Sequence, residues 1–190
     1  MSERALRQIE YVKRLFADQV LASERYVATG KTAAADKDYE FLKQFVVGRG
    51  LDICCGDFLI EGATGVDKWL TLGAFLGHAG TNGENLAQEE GSQDFVITNY
   101  PEVFENIPRA FREWHRVLKP GGRIGIVARN ADHAQFSKDR GVLKNHHRNS
   151  AFNVNTLRMY LTRAGFLGVQ VEIHDTALYA QGYKRHYVGD

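Results

Sequence analysis

Cysteine, proline, excess charge and long apolar runs are all scarce in this chain, and each scarcity narrows what it can be. Its two cysteines among 190 residues are neighbours, Cys54 and Cys55. Adjacent thiols seldom meet disulfide geometry, so no bridged scaffold is expected. Without a Cys-x-x-Cys partner they also make a poor zinc site, and no metal is expected. Three prolines and no low-complexity tract argue against a disordered or fibrous chain. No apolar stretch approaches the length of a membrane span. Met1-Ser2-Glu3-Arg4 leads into a charged amphipathic segment with no apolar signal core, so a reducing cytoplasm is the expected location. Basic side chains number 24 against 23 acidic ones, a net charge of +1. That balance offers no global field for gripping nucleic acid or an anionic membrane.

What is present suits one soluble domain with a sizeable core: 44% apolar and 25% charged residues. Leu6, Ile9, Val12, Phe16 and Val20 recur three or four apart, which predicts an amphipathic helix from Arg4 to Val20. Asp36 or Asp38 can cap a second helix carrying Tyr39, Leu42, Phe45 and Val46. Leu51 to Cys55, Ala63 to Asp67, Asp94 to Thr98 and Arg123 to Ala128 read as strands. Asn106 caps the best helix, with Ile107, Ala110, Phe111, Trp114, Val117 and Leu118 on one face, and Lys119-Pro120-Gly121-Gly122 stops it. Residues 129–152 read as a long polar loop. Asn153 caps a last helix that ends at Gly165, and Val169 to His174 and Ala177 to Tyr183 form two strands joined at Asp175-Thr176. Strands alternating with helices imply a doubly wound α/β fold, mostly parallel, with an antiparallel edge at the C-terminus. Residues 1–47 are expected to form a helical cap or lid and 48–190 the main domain, as one compact unit.

Ligands of such sheets sit beyond the carboxyl ends of the strands. Three of those ends carry suggestive residues. In Asp52-Ile53-Cys54-Cys55-Gly56-Asp57 a small residue after the strand lets backbone approach a ligand. In Gly65-Val66-Asp67 a carboxylate is placed to accept two hydrogen bonds from a ribose diol. Asn82-Gly83-Glu84-Asn85-Leu86 is polar enough to read an adenine edge.

The run from Leu51 to Asp67 resembles the nucleoside-binding start of class I S-adenosylmethionine (SAM)-dependent methyltransferases. The runs Glu84 to Ile97 and Glu113-Trp114-His115-Arg116-Val117-Leu118-Lys119-Pro120-Gly121-Gly122 resemble the second half of the same domain. Leu161-Thr162-Arg163-Ala164-Gly165-Phe166 is similar to its C-terminal pattern. The resemblance implies SAM as cofactor and S-adenosylhomocysteine (SAH) as product. It further implies that Asp52 and Gly56 flank the methionine moiety, with the backbone of Cys54, Cys55 and Gly56 close by. Asp67 would hold the ribose, and Asn82 and Gly83 would meet the adenine. Thr98, Asn99 and Tyr100 would lie beside the sulfonium and the incoming nucleophile.

Departures from the family pattern are informative. Of its three-glycine loop only Gly56 survives, with Cys54 at the first position and Asp57-Phe58 at the third. Fifteen positions from Asp52 to Asp67 are too few for a full crossover helix. A dinucleotide site would need all three glycines for its pyrophosphate, whereas SAM carries no phosphate. The cysteines are read as small apolar fillers rather than nucleophiles. Among His133, His146 and His147, the last two are the first candidates for a general base, with Tyr100 as a positioning group. The expected function is methyl transfer to an oxygen or nitrogen of a small molecule. A SAM- or SAH-binding domain without turnover, and an RNA methyltransferase using the basic loop around Lys138 to Arg148, are the alternatives.

Overall fold

The computed structural model describes residues 33–55, 59–66, 83–133 and 150–186. The chain divides into two compact units, Met1–Lys37 and Asp38–Asp190. The helix expected over Arg4–Val20 lies outside the described residues. Helix α1 spans Ala33–Lys43, so it starts before either aspartate expected to cap it, and Asp38 is an interior, buried position.

In the second unit the order along the chain is β1 (Gly50–Ile53), β2 (Thr64–Val66), β3 (Gln93–Asn99), α2 (Ile107–Val117), β4 (Leu118–Arg129), α3 (Val154–Ala164), β5 (Leu167–His174) and β6 (Ala177–Tyr183). The strands form one six-stranded sheet in the order β2-β1-β3-β4-β6-β5. The pairs β1–β2, β1–β3 and β3–β4 are parallel, and the β4–β6 and β5–β6 pairs are antiparallel. The expected α/β sheet with its antiparallel end is therefore observed.

Directly paired residues share a face of a sheet, and neighbours along a strand alternate. One face carries Asp52, Phe95, Ile97, Asn99, Val127, Arg129 and Tyr179. There Leu42 and Phe45 pack on Phe95, Ile97 and Val127. The other face carries Ile53, Val96, Thr98, Ile124, Ile126 and Leu178, and joins Phe111, Trp114, Leu157 and Leu161 of α2 and α3 in the main core.

At the N-termini of α2 and α3 and the C-terminus of α3 the sequence signals operate as anticipated. Asn106 Oδ1 accepts from Arg109 N at 3.0 Å, while Ile107, Ala110, Phe111, Trp114 and Val117 are buried. Asn153 and Thr156 make a reciprocal capping box, and Gly165 closes α3 at φ 104°, a conformation that costs glycine little. The Lys119-Pro120-Gly121-Gly122 segment does more than stop a helix. It lies inside β4, where pairing advances from Gln93–Leu118 to Phe95–Arg123, and the surplus residues bulge out. Gly121, at φ 81°, donates to Lys184 O, and Lys184 N donates back to Gly122 O, both at 2.9 Å.

Between Ile53 and Thr64 lie only ten residues, 54–63, and β1 and β2 pair directly with Leu51 opposite Thr64. Among the described residues no helix intervenes, in keeping with the short spacing read from the sequence.

Candidate functional site

Because β1, β3 and β4 run parallel, their carboxyl ends share one edge, and Asp52, Asn99 and Arg129 stand near it on one face. Asp52 is 3% exposed, and its Oδ2 accepts from Ile60 N at 3.0 Å, which folds the connection back onto β1. At Cys54 the chain turns with φ 63°, and Cys54 N donates to Val66 O at 2.8 Å. This left-handed turn is the position where the family pattern has its first glycine. Cys54 is partly buried against the main core and Cys55 is buried, and neither forms a disulfide.

The end of β3 is chemically richer. Thr98 is fully buried and lies on the opposite face from Asp52 and Asn99. Asn99 Oδ1 is a buried acceptor with no hydrogen-bond partner among the described residues. Tyr100, at φ 71°, starts a 3-10 turn over Pro101–Val103, and its N–H donates to Val127 O at 3.0 Å. Its phenol oxygen accepts from Arg129 Nη2 at 2.5 Å, and the same guanidinium lies 4.8 Å from the centre of the Tyr100 ring. Glu102, 2% exposed, accepts the backbone N–H of Arg129 through Oε1, and its carbonyl accepts from Ser150 N at 3.2 Å. Sequence reasoning singled out neither Arg129 nor Glu102. An arginine at the carboxyl end of an expected strand was the available signal for the first. Burial of a glutamate in a polar-looking turn left no sequence signal for the second.

The Gly83–Leu86 segment is tied to α2. Trp114 Nε1 donates to Gly83 O at 2.7 Å, and Glu84 Oε1 accepts from the N–H groups of Glu105 and Asn106 at 2.8 and 3.0 Å. Leu86 N donates to Glu113 Oε1 at 2.9 Å, and Arg116 bridges Glu113 to the carbonyls of Leu86 and Gln88. A Cβ on Gly83 would stand 2.6 Å from Phe104 and 2.8 Å from Ile53, so a glycine alone lets this backbone reach the end of β1. Glu84 thus serves the N-terminus of α2, where its negative charge also suits the helix dipole.

The residues expected around the cofactor separate into groups. Asp52, Cys54, Cys55 and Gly83 surround the end of β1, while Asn99 and Tyr100 stand at the end of β3. Gly56, Asp67, Asn82, His146 and His147 lie outside the described residues. His133 Nε2 lies 4.0 Å from Asp175 Oδ1. Among the described residues no three histidine, cysteine or carboxylate side chains are grouped to hold a metal, and no helix is long and apolar enough to cross a membrane.

The family model described as a methyltransferase domain matches residues 71–126, ending within β4. No curated protein matches the chain in sequence. Among solved structures, a SAM-dependent methyltransferase of Thermotoga maritima, named as a possible histamine N-methyltransferase, superposes with a TM-score of 0.64 at 17% identity. The match covers 90% of this chain and 99% of that one. The YcgJ protein of Bacillus subtilis gives 0.63 at 15% identity, covering 80% of this chain and 99% of its own. The phosphoethanolamine N-methyltransferase 2 of Haemonchus contortus, in complex with phosphomonomethylethanolamine and SAH, gives 0.62 at 16% identity, covering 80% of this chain and 53% of its own. These likenesses establish the fold. Strand order and the antiparallel end pair are thus those of a fold this chain shares with SAM-dependent methyltransferases, and the segment 71–126 within it is similar to a methyltransferase domain.

Proposed function

We propose that this protein transfers the methyl group of SAM to an oxygen or nitrogen atom of a small molecule. The observation that carries the reading is Asn99 Oδ1, a buried acceptor without a partner among the described residues, at the shared carboxyl edge of the parallel strands. A buried acceptor left unsatisfied costs about 1–3 kcal/mol, which a bound ligand offsets. That orphan fits a ligand bearing N–H or O–H groups.

The proposed roles follow the family pattern. Asp52 orders the turn after β1, and the backbone at Cys54, Cys55 and Gly56 approaches the methionine end. Asp67, which follows β2 directly in sequence, grips the ribose diol, and Asn82 and Gly83 border the adenine. When bound, SAM supplies an electrophilic methyl on a sulfonium, leaving the protein to align donor and nucleophile and exclude water. Alignment of this kind is worth up to about 7–11 kcal/mol. Asn99 orients the nucleophile, Tyr100 positions it, and His146 or His147 takes the proton of a hydroxyl acceptor. A cytoplasmic location is part of the same proposal.

A second reading, a SAM- or SAH-binding domain without turnover, is favoured by Cys54 in its left-handed turn and by the short β1–β2 connection, which holds no helix among the described residues. Calorimetric titration with SAM and SAH tests both, followed by an assay for labelled methyl in products of a small-metabolite extract. Binding abolished by Asp67→Ala together with labelled product supports the transferase. Binding with no product across fractions supports the second reading, and no binding of either nucleoside defeats both.

A further inference from the structure

The guanidinium of Arg129 lies half-buried beside the carboxyl edge, yet no carboxylate of the described residues comes within ion-pair distance of it. Glu102 is nearby and accepts the backbone N–H of Arg129. Arginine offers five N–H donors in a planar fork. Here one nitrogen, Nη2, donates to Tyr100 Oη, and the plane rests against the Tyr100 ring. Stacking of this kind fixes the orientation of the fork without neutralising it. A partly desolvated cation held in one orientation is suited to a planar or tetrahedral oxyanion.

A second observation comes from the neighbouring strand. Asn99 lies opposite Val127, two residues before Arg129 on the same face. Strand geometry therefore separates the Asn99 and Arg129 backbones by about 8 Å, the length of a small metabolite. The unsatisfied Asn99 oxygen calls for a hydrogen-bond donor, and a guanidinium whose side-chain partner is the neutral Tyr100 phenol suits an anion.

We infer that Arg129 is the specificity-determining residue for the methyl acceptor, which carries a carboxylate or phosphate group bound by its guanidinium while its N–H or O–H end meets Asn99. The inference rests on the proposed methyl transfer and gives it a substrate class. Neither Tyr100 nor Asn99 can replace the positive charge, so the anion preference depends on Arg129.

The test uses the full chain. SAH is titrated first, because failure to bind SAH sinks the methyl-transfer reading whatever Arg129 does. The SAH-saturated protein is then titrated with two matched pairs, histidine against histamine and phosphoethanolamine against ethanolamine, which differ only by the anionic group. We expect the anionic member of at least one pair to bind about tenfold more tightly than its partner. The better pair also distinguishes carboxylate from phosphate. Arg129→Gln should erase that advantage with SAH affinity unchanged, and Arg129→Lys should keep part of it. Equal affinities within both pairs, no binding by either anionic member, or a preference that survives in Arg129→Gln would each overturn the inference.

Discussion

Tyr179 on β6 donates a 2.7 Å hydrogen bond to Asp38 Oδ1 on α1, joining positions 141 residues apart in the chain. Both residues are buried. Burial, and then the hydrogen bond to Asp38, push the phenol well above its ordinary ionisation range, so it stays a donor at any working pH. Tyr179→Phe removes the donor and leaves a buried aspartate with one partner fewer. The expected cost is about 1–3 kcal/mol in urea denaturation. Asp38→Asn, which can still accept, should cost less. Equal stabilities of wild type and Tyr179→Phe would remove this link from the account.

Glu113 should make stability depend on acid pH. Its hydrogen bond to Arg116, and then that from Leu86 N, hold its carboxyl below the ordinary 4.5. The contribution is therefore complete above that value and is lost as pH falls through the lowered folded value. Glu113→Gln should cost about 1–3 kcal/mol at pH 7, and the gap from wild type should narrow at pH 3. A gap that stays constant between those two pH values contradicts the assignment.

His115 acts in a neighbouring window with the opposite preferred charge state. Burial first, then the charge of Lys184, lower its pKa below 6.5 despite the opposing hydrogen bond with Gly165. The fold thus prefers the neutral ring, and stability is whole above 6.5 and falls as pH drops below it. His115→Phe retains a ring near Phe166, which now lies 5.1 Å from the histidine ring. Melting temperatures taken from pH 8 to pH 5 should show a shallower fall for the variant. A parallel fall would assign the slope elsewhere.

Cys54 occupies a left-handed turn that costs a residue with a Cβ about 1–2 kcal/mol. Cys54→Gly relieves that strain but forfeits packing and gains freedom in the unfolded chain. The net change should stay within about 1 kcal/mol. Cys54→Val adds a β-branch where none fits and should destabilise by about 2 kcal/mol or more. Paired denaturation curves decide the point, and a valine variant as stable as the glycine one would contradict the strain.

Gly83→Ala forces a methyl against Phe104 and Ile53. Overpacking of this kind costs about 1–3 kcal/mol. Because Trp114 anchors the Gly83 carbonyl, the segment must shift at the end of β1. SAH affinity measured by calorimetry should therefore fall more than stability alone accounts for, and unchanged affinity would separate this segment from the cofactor.

Much of the architecture was legible because local signals agreed with the global pattern. Asn106, Asn153 and Gly165 marked helix ends through hydrogen bonds and a positive φ that short-range chemistry dictates. The Asp52-to-Asp67 spacing announced a connection without a helix for the same reason. Side-chain partnerships were less visible. Nothing local to Glu84 says that it will serve a helix 21 residues later, and nothing local to Arg129 says that it will rest on Tyr100. The first pairing forms only once the chain folds back beside α2, and the second only once β3 and β4 lie side by side. Thr98 and Asn99 are neighbours in sequence, yet strand alternation sends one into the main core and leaves the other on the face shared with Asp52.

The brief connection from β1 to β2 also bears on how the chain reaches its fold. Parallel partners are ordinarily far apart in sequence and slow to find one another, but Leu51 and Thr64 are only 13 positions apart. Halving a loop lowers the entropy cost of closing it by about 0.6 kcal/mol. This pair can therefore zip together early, as a hairpin would, and offer β3 a ready template before the distant C-terminal strands arrive.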